Sequence, residues 1–190
     1  MCGRFYLPEE DSMQALNDLL SRLNRSDVKR GGEINPGDTI PVIANSREME
    51  ARPFGMKWGY SLPGKSGLIF NARSETAAAS PLFRDGMAVR RCLIPAQHYF
   101  EWEKRGRDKI RYAIRPEEDG LFYLAGIYRF EGNTPVCAVL TRPPCEPIRF
   151  IHDRMPVMLP LSLQSAWLDV KTPSRDLLNE AIEKVMYTPA

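Results

Sequence analysis

His98-Tyr99-Phe100-Glu101-Trp102-Glu103 is the stretch whose reading decides how this chain folds. Its residues alternate with the period of two that a strand imposes. His98, Phe100 and Trp102 therefore share one face, and Tyr99, Glu101 and Glu103 share the other. We read Phe100 and Trp102 as core. Glu101 then lies on the opposite face, between two aromatic residues able to shield it from water. Shielding raises a carboxyl pKa toward the range useful for proton transfer near neutrality. A glutamate in a strand is more commonly just solvated, so this residue gains meaning only from its company.

Similar stretches lie on both sides. Strands are expected at 39–44, 51–58, 89–94, 98–103, 109–115, 121–130 and 135–141. Sixteen scattered prolines fit short strands joined by irregular loops. Helices are fewer. Met13, Leu16, Leu19, Leu20 and Leu23 recur at helical spacing behind Pro8-Glu9-Glu10-Asp11, and a closing helix is expected from Ser174 through Leu177, Leu178, Ile182 and Val185. Shorter ones are expected at 73–79, 80–84 and 162–168. The fold class is α+β: one compact domain spanning 1–190, built on a curved, mostly antiparallel sheet or barrel with peripheral helices.

At 190 residues, with 43% hydrophobic and 26% charged side chains, the chain has the make-up of a soluble globular domain with a real core. A net charge of +2 names no partner. No apolar run approaches the ~20 residues of a membrane span, and no signal segment opens the chain, so a cytoplasmic protein without membrane contact is expected. Cys2, Cys92, Cys137 and Cys145 form no C-x-x-C pair, and the histidines are only His98 and His152. No metal or cofactor is expected. Cys92 and Cys137 sit in apolar strands and read as core thiols.

Cys2 differs by position. Removal of Met1 would give it a free α-amine beside its thiol, with pKa values of about 8 and 8.5, so both nucleophiles are usable at neutral pH. A 1,2-aminothiol condenses with an aldehyde to an imine, and the thiol closes on it as a thiazolidine. Three polar segments could serve such chemistry. Asn71, in Leu68-Ile69-Phe70-Asn71-Ala72-Arg73-Ser74-Glu75-Thr76, falls where a helix cap would sit. Arg73 beside a helix start would favour an anion. His152 lies in His152-Asp153-Arg154-Met155, a polar group between apolar flanks.

Together these segments resemble the SRAP (SOS response-associated peptidase) family, which includes proteins that capture abasic sites in single-stranded DNA. The motifs are Cys2-Gly3-Arg4-Phe5, Asn35-Pro36-Gly37, Trp58-Gly59-Tyr60, Asn71 to Thr76, Cys92-Leu93-Ile94-Pro95, Phe100-Glu101-Trp102 and His152-Asp153-Arg154-Met155-Pro156. They follow the family order and span nearly the whole chain. The resemblance implies a β-rich fold with Cys2 at the floor of a basic groove, and Cys2 as the nucleophile toward the C1′ aldehyde of a ring-opened abasic sugar. It implies that Asn71 holds the Cys2 amine and the sugar, that Glu101 shuttles protons, and that His152 stabilises the opened sugar hydroxyl. Arg4, Arg73 and Arg154 match phosphate-holding positions. The partner implied is single-stranded DNA containing abasic sites, bound by a nucleoid-associated monomer. One departure concerns the loop Ser61-Leu62-Pro63-Gly64-Lys65-Ser66-Gly67, where some relatives carry paired tryptophans and this chain has no aromatic residue. Pro36 would then wedge against a base and Lys65 would replace a phosphate contact.

Two other readings share these residues. One is an N-terminal-nucleophile cysteine peptidase, a reading that includes an enzyme cutting the Met1–Cys2 bond alone. The other is a reversible single-strand binder with no covalent step.

Overall fold

The computed structural model describes residues 2–9, 14–23, 25–64 and 66–190. In chain order the strands are β1 (Phe5–Leu7), β2 (Gly32–Ile34), β3 (Thr39–Asn45), β4 (Ala51–Trp58), β5 (Tyr60–Ser61), β6 (Leu68–Ile69), β7 (Asn71–Arg73) and β8 (Arg91–Ala96). They continue as β9 (His98–Arg105), β10 (Asp108–Pro116), β11 (Phe122–Glu131), β12 (Thr134–Arg142), β13 (Met155–Pro156), β14 (Met158–Leu159) and β15 (Val185–Pro189). The helices are α1 (Gln14–Ser21), α2 (Ser74–Ala77), α3 (Arg84–Val89), α4 (Gln164–Leu168) and α5 (Ser174–Asn179).

Five strands close a barrel in the order β12-β4-β3-β8-β11, because β11 also pairs with β12. Every contact round it is antiparallel except β12 with β4. Both faces of β8, β11 and β12 are buried along most of their length. Cys92, Ile94, Leu124, Cys137 and Val139 belong to the inner core, while the alternating Leu93, Ala125, Ile127, Ala138 and Leu140 pack outward against helices that contribute Ala77, Met87, Trp167 and Leu177. That is why 135–141 reads as an unbroken apolar run rather than an alternating one. Each fully buried aliphatic side chain here is worth roughly 1.5–3 kcal/mol.

A second sheet, β15-β10-β9-β1-β2, is antiparallel throughout and shares the inner core through Phe5, Leu7, Ile34, Tyr99 and Ile114. The α+β barrel reading is therefore correct, and the second sheet completes it.

Four local readings are corrected. The closing helix ends at Asn179, and Val185–Pro189 is instead the edge strand β15, pairing Val185 with Pro116 and Tyr112 with Pro189. Its β-branched and aromatic residues gain more from the open edge of β10 than from prolonging a short helix. The helix expected at 80–84 lies at Arg84–Val89, because Ser80 to Phe83 form the turn that leads into it. The following strand accordingly starts at Arg91. Tyr99 enters the inner core from the face expected to point away, whereas Phe100 is buried as expected but on the other side of the sheet, where Trp102 is half-buried. Phe100 is covered by the Arg111 guanidinium, 3.6 Å from its ring centroid, and by His98 at 4.8 Å. In the first helix, Leu16, Leu19 and Leu20 are buried as expected, whereas Met13 and its acidic lead-in at 10–11 lie outside the described residues.

Two glycines are dictated by the backbone. Asn35-Pro36-Gly37-Asp38 is a turn closed by the Asp38 N–H on the Asn35 carbonyl at 3.0 Å, with proline fixing the first corner and Gly37 at φ 100° taking the second. The Gly37 N–H then donates to the Trp58 carbonyl at 2.7 Å, which ties the turn to the barrel mouth. Gly59 sits at φ 122°, and a Cβ there would lie 2.9 Å from that of Leu68.

Candidate active site

Cys2 lies where the two sheets meet. The second sheet fixes it from one side: β1 pairs with β9 at Phe5–Tyr99, and the Phe100 N–H donates to the Arg4 carbonyl at 2.9 Å. The barrel fixes it from the other. Asn71 on β7 pairs with Val139 of β12 and donates its side-chain Nδ2–H to the Cys2 carbonyl at 2.8 Å. Asn71 is thus a tether and not a cap; Arg73 occupies the N-cap position of α2. Trp58 supports the arrangement, donating its Nε1–H to the Phe70 carbonyl at 3.0 Å, with its ring tilted by 58° to that of Phe5 at a centroid distance of 5.0 Å.

The cysteine is fully buried, its Sγ 3.9 Å from the Arg4 carbonyl oxygen. Burial pushes its thiol pKa well up, and the negative charge of Glu101 pushes it further. Glu101 is itself 3% exposed, so the sequence expectation of shielding holds, with Tyr99 rather than Phe100 and Trp102 on its face. The Tyr99 phenol is driven upward by burial, then by Cys2 and Glu101. Thiol, phenol and carboxyl are therefore buried neighbours within electrostatic reach of one another. Asn71 Oδ1 and the Tyr99 hydroxyl have no hydrogen-bond partner among the described residues. Sequence reasoning passed over Tyr99; its inward face on the Glu101 strand was the available signal.

His152 meets Glu101 across a small surface concavity of about 250 Å³, lined also by Trp102, Lys104 and Lys109. The His152 Nδ1 has two neighbours that exclude each other. A neutral ring with its proton on Nε2 accepts the Arg154 backbone N–H at 3.0 Å, whereas a ring protonated at Nδ1 donates to Asp153 Oδ1 at 2.7 Å. One ring thus has a partner waiting in either state, which suits a proton carrier.

The basic residues divide. Arg4 pairs with Glu33 at 3.2 Å and lies 5.5 Å from the Trp102 ring centroid, with Arg111 on the same carboxylate. These two cations hold the Glu33 pKa down, Arg111 foremost. Arg154 forks onto Glu75 at 2.5 and 2.8 Å and also donates to the Thr141 carbonyl at 2.6 Å. Its side chain is only 11% exposed, and it ties the His152 loop to α2. Arg73 is exposed and forms no ion pair among the described residues. Pro36 is half-buried in its turn, and Lys65 lies outside the described residues. The structure therefore gathers Cys2, Asn71 and Glu101 closely, sets His152 beside Glu101, and leaves Arg73 the freest of the three arginines.

A five-stranded barrel joined to a second sheet, with Cys2 tethered at their junction by an asparagine and a buried glutamate nearby, defines a class of protein built round that cysteine. The chain belongs to the SOS response associated peptidase (SRAP) family, whose model matches residues 1–188. It is 32% identical over 201 residues to the abasic site processing protein YoqW of Bacillus subtilis, covering 96% of this chain and 87% of that one. It is 30% identical over 183 residues to the abasic site processing protein YedK of Escherichia coli, covering 88% and 79%. Among solved structures it resembles a Bacteroides thetaiotaomicron protein (TM-score 0.77, 21% identity, 99% of this chain and 91% of that one). It also resembles a phage-related protein of Bordetella bronchiseptica (TM-score 0.78, 23% identity, 100% and 94%).

Proposed function

We propose that this protein binds single-stranded DNA at abasic sites and joins Cys2 covalently to the ring-opened sugar as a thiazolidine. The names of its relatives support abasic-site processing. The observation that carries the covalent step is the Asn71 bond to the Cys2 backbone, with Glu101 beside the thiol. Removal of Met1 frees the Cys2 amine, and an ammonium at this junction supplies N–H donors where Asn71 Oδ1 and the Tyr99 hydroxyl lack partners. Buried oxygens in that state cost about 1–3 kcal/mol each.

The steps balance without a cofactor. Glu101 and His152 move protons as the hemiacetal of the sugar opens to its aldehyde, a type of assistance worth ~10²–10⁴ in rate. The neutral amine adds to C1′, the resulting carbinolamine loses water, and the imine forms. The thiol sulfur then adds to the imine carbon while its proton passes to nitrogen. Reversal runs the same steps backward. Arg73, Arg4 and Arg154 serve the phosphates, directly or by holding the loops that do, with Pro36 against a base and Lys65 as a further cation. Such contacts give affinity without sequence preference. The setting is the cytoplasm, on nucleoid DNA.

The thiol also separates this reading from the peptidase one. A cysteine peptidase attacks with a thiolate, and burial beside Glu101 keeps Cys2 protonated. In thiazolidine formation the amine attacks first and a protonated thiol suffices. The test is a denaturing gel of purified protein with a single strand containing one abasic site, alongside an intact-mass measurement. The expected result is a shifted band from protein lacking Met1, lost in Cys2→Ala. Processed protein that gives no band, or that cleaves unrelated peptides instead, would overturn the proposal.

A further inference from the structure

The barrel carries a second recess away from Cys2. An open groove of about 830 Å³ runs over the β3–β4 and β11–β12 ends. It reaches β12 at Pro135, four residues and about 13 Å along the strand from Val139, the partner of Asn71. Its floor is apolar, with Phe54, Met56 and Tyr128, and Phe130 stands 57% exposed at its side. Its rim is cationic. Arg22, Arg47 and Arg90 line it without a hydrogen bond or ion pair from their side chains among the described residues. Arg25 is already engaged by Asp27 and the Gly55 carbonyl, and Glu48, the groove's carboxylate, is held by Ser46.

Guanidiniums without an ion pair among the described residues, beside a half-buried apolar floor and the exposed Phe130, ask for a ligand that offers carboxylates and apolar side chains together. Arginine forks match carboxylates, and an apolar patch left open beside them marks a contact surface. A nucleic acid fits less well. The Tyr128 and Phe130 rings meet at 77° with centroids 6.1 Å apart, so they offer no common plane for successive bases. We propose that this groove docks an acidic peptide segment of a partner protein. Its carboxylates pair with Arg22, Arg47 and Arg90, and its apolar side chains lie over Phe54 and Phe130. The site is independent of the reaction at Cys2.

The test is fluorescence anisotropy of the full chain with a labelled decapeptide in which aspartate alternates with leucine and phenylalanine. Saturable binding is expected, weakening with salt. Reversing both exposed arginines, as Arg22→Glu with Arg47→Glu, should weaken it by about tenfold or more. Phe130→Ala should weaken it by about tenfold through loss of the anchor. A peptide with serine at the apolar positions should bind as poorly as to the variants, and all variants should keep the parent melting temperature and Cys2 reactivity. Equal affinity in parent and folded variants would overturn the proposal, as would no binding at all. So would displacement of the peptide by undamaged single-stranded DNA whose own affinity falls in the double-arginine variant, since the groove would then be a nucleic-acid track.

Discussion

Asn71 donates its side-chain amide to the Cys2 backbone carbonyl at 2.8 Å, which fastens the segment leading into β1 of the second sheet to β7, the strand paired with β12 of the barrel. The bond fixes where the Cys2 nitrogen and sulfur stand relative to Glu101. Asn71→Ala should therefore lose crosslinking rate by about 10², the cost of a reactant group left unpositioned. The accompanying stability loss should be only about 1 kcal/mol, that of one hydrogen bond. Asn71→Asp keeps the shape but has no donor, and should fail like alanine. Single-turnover rates on gels, with urea melts beside them, separate the two effects. A rate unchanged in both variants would show that the tether is dispensable.

The Glu75–Arg154 pair makes a pH prediction. Arg154 holds the Glu75 carboxyl down to about 2, from an ordinary value of 4.5. A depressed carboxyl contributes stability that is complete above its unfolded value and lost as pH falls through its folded one. The stabilisation should thus be full above about pH 4.5 and disappear progressively toward pH 2. Glu75 is 43% exposed, so solvent screening keeps the contribution small. Glu75→Gln should melt slightly lower than the parent at pH 7 and show a flatter loss of melting temperature between those pH values. Parallel profiles would mean that the pair contributes nothing.

The long strands and the motif set were legible in the sequence because each is local. The apolar run at 135–141 and the alternation at 98–103 need only neighbours to be read. Strands of three to five residues at an edge have no such signal. Phe5–Leu7, Asn71–Arg73 and Val185–Pro189 are strands only because β9, β12 and β10 present free edges to them. Hence Asn71 read as a cap and Val185 as helix. The face of β9 was misjudged for a related reason: Phe100 is covered by a guanidinium from β10, and sequence hydrophobicity assigns such a ring to the core. Candidate site residues stood out where a residue type is rare, as with Cys2 and His152. The engagement of Arg154 with Glu75, far apart in sequence, was not.

Of Arg4, Arg73 and Arg154, Arg73 is the one best placed to meet a phosphate, being exposed and without an ion pair among the described residues. Arg73→Ala should weaken binding to single-stranded DNA uniformly across sequences, and the slope of log affinity against log salt should become shallower by about 0.7, the value for one phosphate contact on a single strand. Anisotropy titrations at several salt concentrations measure it. Arg154→Ala should behave differently, since its guanidinium is committed to Glu75 and Thr141. It should lower stability more than it changes the salt slope. Equal slopes for Arg73→Ala and the parent would remove Arg73 from the phosphate path.

Glu101→Gln acts on two properties with opposite signs. The carboxylate raises the Cys2 thiol pKa, second only to burial, so its replacement should bring the thiol down while burial still holds it above an ordinary cysteine. Alkylation of Cys2, followed by mass spectrometry of the amino-terminal peptide across pH, should therefore become faster at a given pH. Crosslinking should become slower, by ~10²–10⁴ if proton transfer limits ring opening or reversal. DNA binding should stay near the parent value, because Glu101 is buried and meets no phosphate. A thiol that grows more reactive while the crosslink slows would place Glu101 in proton transfer rather than in activation of sulfur. Both rates falling together would point instead to a disturbed pocket, and both unchanged would take Glu101 out of the mechanism.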